Sequence, residues 1–313
     1  MFYSYKHIYA LLFQCFFPRL IPLKSLGYTT KSVHLLNVGP PSKKFMPQIE
    51  SLTSERIQNN TLFPWADFKI PELSYWDFVF DNVEAHAHLP GLVCGVTGRT
   101  VLHGEVKQQA LEVARALKAH DLKKGDVVAI VLPNCLEYPV LFLGCLYLGI
   151  AITPINPAYT AHEISRQLSA SNASVVFGHT SIVDKMKKSS ELAGCVQKTI
   201  LIGENLKDES TMHFDEFLSS SSCPTPEQAD FDLKKDVAVL PFSSGTTGVP
   251  KGVMLSQYNL VANNYTVLCM DPSYMQQAAG LQQETTITVL PMYHIYGLNV
   301  TLSGSLHHGV KQV

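Results

Sequence analysis

Ten consecutive residues combine small, hydroxyl-bearing and basic side chains in a way that suits a polyphosphate ligand. They run from Ser243 to Gly252 and read SSGTTGVPKG. Gly245 and Gly248 remove side-chain bulk, so backbone N–H groups can form a nest for an anion. Lys251 adds a mobile positive charge. Four hydroxyl groups can donate hydrogen bonds to phosphate oxygens, those of Ser243, Ser244, Thr246 and Thr247.

A predicted strand leads straight into this loop. Residues 236–242 read DVAVLPF, a short apolar run that is typical of a buried strand. The loop is not a Walker A motif, because the spacing G-x-x-x-x-G-K-[ST] is absent. A surface turn would explain any four of these residues, but ten in a row after a buried strand favour phosphate binding.

A second segment with possible chemistry, residues 290–297, reads LPMYHIYG and contains one histidine, His294. A single histidine after an apolar run is more often a core residue than a catalytic one. The residues alone therefore leave both interpretations open.

The elements that must position these segments alternate regularly from about residue 105. Apolar residues between Val106 and Leu117 recur at helical spacing, and Val127–Leu132 is a short apolar run that predicts a buried strand. Leu136–Leu148 is nearly continuous apolar sequence and predicts a buried helix, and Ile150–Ile155 predicts the next strand.

The alternation continues towards the loop. Thr160 and Glu163 form a capping box that predicts a helix through about residue 170. Further elements are predicted at residues 174–177 (strand), 181–190 (helix) and 199–202 (strand), and residues 219–230 predict a surface loop. This order predicts an α/β fold, a mostly parallel sheet with helices on both faces. Ligands of such sheets bind beyond the carboxyl ends of the strands.

Composition limits the class of protein. Hydrophobic residues make up 46% of the 313 and charged residues 16%, so a sizeable core is possible and wholesale disorder is excluded. Apart from six basic residues near the N-terminus, the chain carries 18 basic and 26 acidic side chains. A nucleic-acid partner is excluded because this body offers no concentrated basic surface. No apolar stretch of 18 residues occurs, so no transmembrane segment is expected.

Residues 1–49 are predicted to be a targeting or disordered extension. They contain six basic residues, no Asp or Glu, and many aromatic residues, which fits a mitochondrial presequence. A secretory signal, with Lys6 before an apolar run at residues 8–17, is an alternative, and a start at Met46 is another. The predicted localisation is mitochondrial, with cytoplasmic or peroxisomal as alternatives. Residues 311–313 do not form a peroxisomal tripeptide.

The cysteines suggest neither a zinc site nor a disulfide framework. They are odd in number, scattered, and contain no C-x-x-C pair. We expect buried thiols in a reducing compartment. The seven are Cys15, Cys94, Cys135, Cys145, Cys195, Cys223 and Cys269.

The SSGTTGVPKG loop closely resembles the phosphate loop of the adenylate-forming superfamily, which includes acyl-CoA synthetases, coumarate–CoA ligases, luciferases and peptide-synthetase adenylation domains. The resemblance extends from about residue 63 to the end of the chain. Segments that resemble the coumarate-ligase-like branch follow in order, namely IPELS at 70–74, VTGR at 96–99, KGDVV at 124–128, LPN at 132–134 and PINPAYT at 154–160.

The resemblance implies a two-step reaction with ATP, Mg²⁺ and coenzyme A. A fatty or aromatic carboxylate attacks the α-phosphorus of ATP, pyrophosphate leaves, and a thiol then displaces AMP. Lys251 and the loop from Ser243 to Gly248 would hold the β and γ phosphates. Magnesium would arrive with the nucleotide beside Thr247, and no protein residue is assigned as a metal ligand.

The resemblance also gives roles to the second segment. His294 is expected beside the substrate carboxylate and the path of the acyl group, where it orients substrate rather than attacks it. Tyr296 is expected to form a wall of the acid pocket. No Ser or Cys nucleophile is needed, because the acid's own carboxylate attacks in the first step.

Two departures from the family pattern qualify this expectation. Ser256 is followed by Gln257, where the family commonly has histidine. The sequence also stops at Val313, before the motifs that hold adenine, metal and ribose and before the C-terminal lysine. We therefore expect an N-terminal fragment of an acid–thiol ligase that is inactive alone.

Residues 50–313 are predicted to form an incomplete N-terminal AMP-binding domain. Its phosphate-loop subdomain spans about 115–270, and a second α/β subdomain combines about 63–114 with 271–313. Two other functions stay open, namely a catalytically dead truncated isoform and a luciferase-like or carrier-loading adenylation enzyme.

Overall fold

A computed structural model describes the chain in two units, Met1–Lys69 and Ile70–Val313. In the first unit β1 (Ile57–Gln58) and β2 (Thr61–Leu62) form an antiparallel pair. The predicted targeting extension at residues 1–49 lies outside the described residues. Those described are 57–58, 61–62, 69–206, 208–219, 224–243, 250–270, 275–280 and 282–313, with 57–58, 61–62 and 269–270 as backbone only.

The second unit begins with short elements that precede a long helix. They are α1 (Tyr75–Phe80), α2 (Val83–His86), β3 (Pro90–Val93), β4 (Thr100–Leu102) and α3 (His103–Ala119). Helix α1 begins after Ser74, whose hydroxyl oxygen accepts a hydrogen bond from the Asp77 N–H at 3.0 Å. The apolar face predicted for the long helix is confirmed, since its buried residues include Val106, Ala110, Val113, Ala114 and Leu117.

Strands and helices then alternate as the sequence predicts. The elements are β5 (Val127–Val131), α4 (Glu137–Tyr147), β6 (Ala151–Pro154), α5 (Ala161–Ser171), β7 (Val175–His179), α6 (Val183–Ala193), β8 (Lys198–Ile202), β9 (Met212–His213) and α7 (Phe214–Ser219). The capping box is present at the start of α5. The Thr160 N–H donates to Glu163 Oε2 at 2.8 Å, and the Glu163 N–H donates to Thr160 Oγ1 at 3.3 Å.

The prediction of one strand over residues 236–242 is wrong. The chain forms β10 (Val237–Val239) and then a separate strand, β11 (Phe242–Ser243). Pro241 has no N–H to donate, so the chain leaves the main sheet after Leu240, whose N–H still donates to the Ile152 carbonyl at 2.7 Å. Next come β12 (Lys251–Gly252), β13 (Leu255–Ser256) and α8 (Gln257–Met270).

The last part of the chain contains a helix of a rare type. After β14 (Thr285–Thr286) the chain forms a π-helix at Tyr296–Ser303, which continues into α9 (Gly304–His308) and ends with β15 (Lys311–Gln312). The π-helix is buried from Gly297 onwards.

Two sheets contain most of the strands. The larger has the order β13-β10-β6-β5-β7-β8-β9, with parallel neighbours except for the antiparallel pair of β10 and β13. The smaller has the order β14-β15-β3-β4, and only β3 and β4 are antiparallel. The predicted α/β fold with parallel sheets is confirmed. The subdomain boundaries stay a prediction.

Residues of the central strand β5 alternate between two separate apolar clusters. Val128 and Ile130 join a cluster that includes residues of α3 and α4. Ala129 and Val131 join a second cluster that includes residues of α5 and α6. Because successive side chains of a strand point to opposite faces, helices cover both faces of the larger sheet.

The cysteines are less buried than expected. Of the four whose side chains are described, Cys145 is buried, whereas Cys94, Cys135 and Cys195 are partly exposed. All four are free thiols. Among the described residues, no helix is long and apolar enough to cross a membrane.

Candidate functional site

The two ends of the predicted phosphate loop are held together by a short hairpin. Strands β11 and β12 pair so that Ser243 lies opposite Lys251, and both residues are exposed. The Val253 N–H donates to the Pro241 carbonyl at 2.9 Å and continues this pairing. The remaining predicted loop residues, Ser244, Gly245, Thr246, Thr247 and Gly248, lie outside the described residues.

This hairpin follows the carboxyl end of β10. Strands β10, β6 and β5 are successive parallel neighbours, so their carboxyl ends lie at one edge of the sheet. At the usual strand spacing, the ends of β10 and β5 are roughly 10 Å apart. The edge where ligands of parallel sheets bind therefore carries Ser243 and Lys251 on one side and the residues after β5 on the other.

Asn134 lies just beyond the carboxyl end of β5 and holds the segment that leads to His294. Its Nδ2 donates to the carbonyl oxygens of Thr288 and Leu290, each at 3.0 Å. Its Oδ1 accepts a hydrogen bond from the Met292 N–H at 2.7 Å. In the sequence, Asn134 contributed only to the family resemblance. The signal for its role was a polar residue directly after a buried strand.

His294 stands in a tight turn, with part of its side chain exposed to solvent and part covered by the surrounding chain. Its N–H donates to the Pro291 carbonyl, and its own carbonyl accepts from the Leu298 N–H, both at 3.0 Å. The Tyr296 N–H donates to His294 Nδ1 at 3.3 Å. Partial desolvation lowers the pKa of His294 below its usual value of 6.5.

These contacts define the chemistry available to His294. A lowered pKa means that the imidazole is mostly neutral at pH 7. Because Nδ1 accepts a hydrogen bond, the neutral ring carries its proton on Nε2. Nε2–H is therefore the group of the ring that can donate a hydrogen bond to a carboxylate oxygen, and the predicted role of His294 in orienting an acid stays a prediction.

Close packing fixes the backbone that follows His294. A Cβ on Gly297 would overlap the Pro291 carbonyl oxygen and lie 3.0 Å from that of Leu290. Only glycine therefore allows the start of the π-helix to approach residues 290–291 so closely. Tyr296, the predicted pocket wall, is the first residue of the π-helix and is partly buried. Helices of this type occur frequently at functional sites.

A buried polar network joins the π-helix to α8, the helix that follows the phosphate loop. The Tyr75 hydroxyl donates to Asn299 Oδ1 at 2.9 Å and also hydrogen-bonds the Ser303 hydroxyl. Asn299 Oδ1 accepts a second hydrogen bond, from Asn264 Nδ2 at 2.9 Å. The two segments with predicted chemistry are thus connected through the core as well as at the sheet edge.

Gln257, the departure from the family histidine, has a structural place. It is buried; its Oε1 accepts from the Tyr75 N–H at 2.8 Å, and its Nε2 donates to the Leu146 carbonyl at 3.1 Å. The glutamine therefore ties the first turn of α8 to the start of α1 and the end of α4.

A cavity of about 730 Å³ opens beyond the carboxyl ends of β5, β7 and β8. Asn134 and Met292 line it, together with His179 and Gly203. Ser243, Lys251, His294 and Tyr296 are not among its lining residues. The part of the chain that the structure describes contains no cluster of three His, Cys, Asp or Glu side chains that could hold a metal ion.

The chain belongs to the AMP-binding enzyme family, whose pattern residues 79–313 match. It is 30% identical to 4-coumarate–CoA ligase 3 of Arabidopsis thaliana over 284 residues, which cover 84% of this chain and 48% of that protein. The predicted resemblance to the coumarate-ligase-like branch of the adenylate-forming enzymes is thereby confirmed. The chain spans about half the length of the curated relatives it matches.

Solved structures share the fold at low sequence identity. A red-emitting luciferase of Phrixothrix hirtus matches with a TM-score of 0.68 and 20% identity, covering 77% of this chain and 46% of the luciferase. A long-chain-fatty-acid–CoA ligase of Archaeoglobus fulgidus matches with a TM-score of 0.68 and 22% identity, covering 79% and 48%. These likenesses confirm that the fold is that of the N-terminal domain of adenylate-forming enzymes.

Proposed function

We propose that this chain supplies the phosphate-binding and acid-orienting residues of an ATP-dependent acid–CoA ligase. One observation supports the proposal more strongly than the others. The hairpin of Ser243 and Lys251 and the segment before His294 lie at the carboxyl edge of one parallel sheet. A nucleotide that spans this edge would meet a cation and hydroxyls at its phosphates, and an imidazole N–H donor at the acid.

In the proposed first step, a carboxylate oxygen of the acid attacks the α-phosphorus of ATP. The new oxygen–phosphorus bond forms as the bond to the β-phosphate oxygen breaks, and pyrophosphate leaves with the electron pair. Lys251 and the loop hydroxyls neutralise and position the departing phosphates, which is the main task of a protein in phosphoryl chemistry. Mg²⁺ bound to the nucleotide would share that charge.

In the proposed second step, the thiolate of coenzyme A attacks the acyl carbonyl and AMP leaves. The Nε2–H of His294 would orient the acyl carboxyl group in both steps, and Tyr296 would form a wall beside it. The names of the curated relatives favour coenzyme A over a carrier-protein thiol as acceptor. The acid is proposed to be aromatic or fatty.

The first test is acid-dependent exchange of labelled pyrophosphate into ATP, measured with this chain and a panel of aromatic propenoic and medium-chain fatty acids. Exchange that depends on one acid class would support the proposal and name the substrate class. Equilibrium binding of ATP should be measured beside it. Binding without exchange would favour the catalytically dead isoform, and absence of both would count against the proposed function.

A second test separates the possible acceptors. In the presence of this chain, the acyl-adenylate of a reactive acid is mixed with coenzyme A and, separately, with a carrier-protein thiol. Thioester formation is followed by mass spectrometry. Preference for coenzyme A is expected. Preference for the carrier would favour a carrier-loading enzyme instead.

A further inference from the structure

The Asn134 side chain makes three hydrogen bonds to one short segment of the chain. Its two N–H donors reach the carbonyl oxygens of Thr288 and Leu290, and its oxygen accepts the Met292 N–H. Carbonyl oxygens cannot donate and a backbone N–H cannot accept, so only one orientation of the amide satisfies all three partners. The contact is therefore specific in geometry as well as close.

The three partners surround Pro291, and Pro291 in turn supports the turn at His294. Its carbonyl oxygen accepts the His294 N–H at 3.0 Å. The backbone of Gly297 packs directly against the same carbonyl. A displacement of residues 288–292 would therefore move His294 and the first turn of the π-helix with it.

Asn134 also joins the two sheets. It follows β5 of the larger sheet, whereas its partners follow β14 of the smaller one. Asn134 is itself exposed, so its removal takes little apolar surface out of the core. Its contribution is thus the placement of a segment rather than the stability of a core.

We infer that Asn134 is a positioning residue that holds residues 288–292 and thereby fixes where His294 stands at the carboxyl edge of the larger sheet. The use of His294 by the reaction rests on the proposed function, but its placement by Asn134 does not.

The inference is tested on the whole chain without any substrate, by NMR titration of the His294 imidazole, assigned by its loss in His294→Gln. In Asn134→Ala we expect the midpoint to rise towards 6.5, because the freed segment no longer holds the ring in the position where it is partly desolvated. The matched control is Asn156→Ala, which removes only a local contact of Asn156 Oδ1 with the Ala158 N–H. Its His294 midpoint should equal that of the unmutated chain.

Amide hydrogen exchange gives a second readout, and its first part needs only the unmutated chain. In the unmutated chain the Met292 amide should be protected, and Asn134→Ala should accelerate its exchange about tenfold. Exchange at the unprotected rate in the unmutated chain would overturn the inference. An unchanged His294 midpoint in a folded Asn134→Ala protein would do the same.

These outcomes are separate from failure of the proposed function. Absent ATP binding and absent pyrophosphate exchange leave the titration and the amide exchange interpretable. Conversely, the unmutated chain could catalyse acid-dependent pyrophosphate exchange while Asn134→Ala leaves the titration midpoint of His294 unchanged. That pair of results would support the proposed function and contradict the positioning role of Asn134.

Discussion

Lys251 and His294 are both exposed to solvent, but the chain holds them in different ways. Lys251 belongs to a hairpin of two-residue strands, with Ser243 as its cross-strand neighbour. His294 follows a segment held by Asn134 and precedes a π-helix whose last seven residues are buried.

This difference shows which of the two residues depends on distant parts of the fold for its position. A lysine ammonium group can neutralise phosphate charge from several positions, because its side chain is long and flexible. An imidazole that orients one carboxylate must stand at a defined place, and distant contacts supply that constraint. Substitutions around His294 should therefore cost more stability than substitutions in the hairpin.

The largest expected effect comes from Gly297→Ala. The added methyl group would overlap the Pro291 carbonyl, and overpacking of this kind costs about 3 kcal/mol in free energy of unfolding. Denaturant unfolding followed by fluorescence, to which the buried Trp76 contributes, measures it.

The matched control for this comparison is Gly252→Ala in the hairpin. Its Cβ would lie 3.1 Å from the tip of the Phe242 ring, a side chain that can move aside. We expect a change below about 1 kcal/mol. Equal losses in the two variants would contradict the difference drawn between the segments.

The next effect concerns the network under the π-helix. Tyr75→Phe removes the hydroxyl that donates to Asn299 and contacts Ser303, so buried polar atoms lose a partner. A loss of about 2 kcal/mol in free energy of unfolding is expected. Tyr159→Phe, at an exposed tyrosine, is the control and should be nearly neutral. An unchanged free energy of unfolding in Tyr75→Phe would mean that the network does not stabilise the π-helix.

Acid is expected to lower the free energy of unfolding of the chain, because several histidines of the same region are buried. Burial lowers the pKa of His103 to about 3 and that of His308 to about 4, and His86 packs edge-on against His103 at 4.7 Å between ring centroids. A folded-state pKa below the unfolded value of 6.5 means that stability is complete above pH 6.5 and is lost as pH falls towards the folded pKa.

Between pH 7 and pH 5.5 the expected loss is about 1 kcal/mol for His103. Denaturant unfolding at both pH values measures it. The variant His103→Asn has no imidazole at this position, so its acid-induced loss should be smaller by that amount. An identical pH dependence in both proteins would show that His103 accepts a proton in the folded state.

The smallest effect on stability is expected from Lys251→Ala. An exposed substitution of this kind changes the free energy of unfolding by less than about 0.5 kcal/mol. Binding of ATP, measured by calorimetry, should weaken about tenfold because a charged donor to phosphate is lost. Lys118→Ala, also exposed but on α3, is the control with the same charge change. Equal weakening in both variants would assign the effect to net charge.

The alternation of elements was predictable because it depends on local patterns. The capping box of Thr160 and Glu163 forms as the sequence indicates, and the predicted strand at Val127–Leu132 is the central strand of the larger sheet. The break at Pro241 was missed because the apolar pattern of residues 236–242 continues through it. The proline's missing N–H, visible in the sequence, was the stronger signal.

Residue types and spacing by themselves determined the α/β fold and the phosphate-loop motif, because periodicity, caps and turn residues act within one element. Only the tertiary structure decided that Asn134 holds the approach to His294, that Gly297 packs on Pro291, and that Tyr75 joins Asn299. Those partners are separated by long stretches of chain, apart from Gly297 and Pro291. Which of them meet depends on the order of strands in two sheets and on the close packing of the interior.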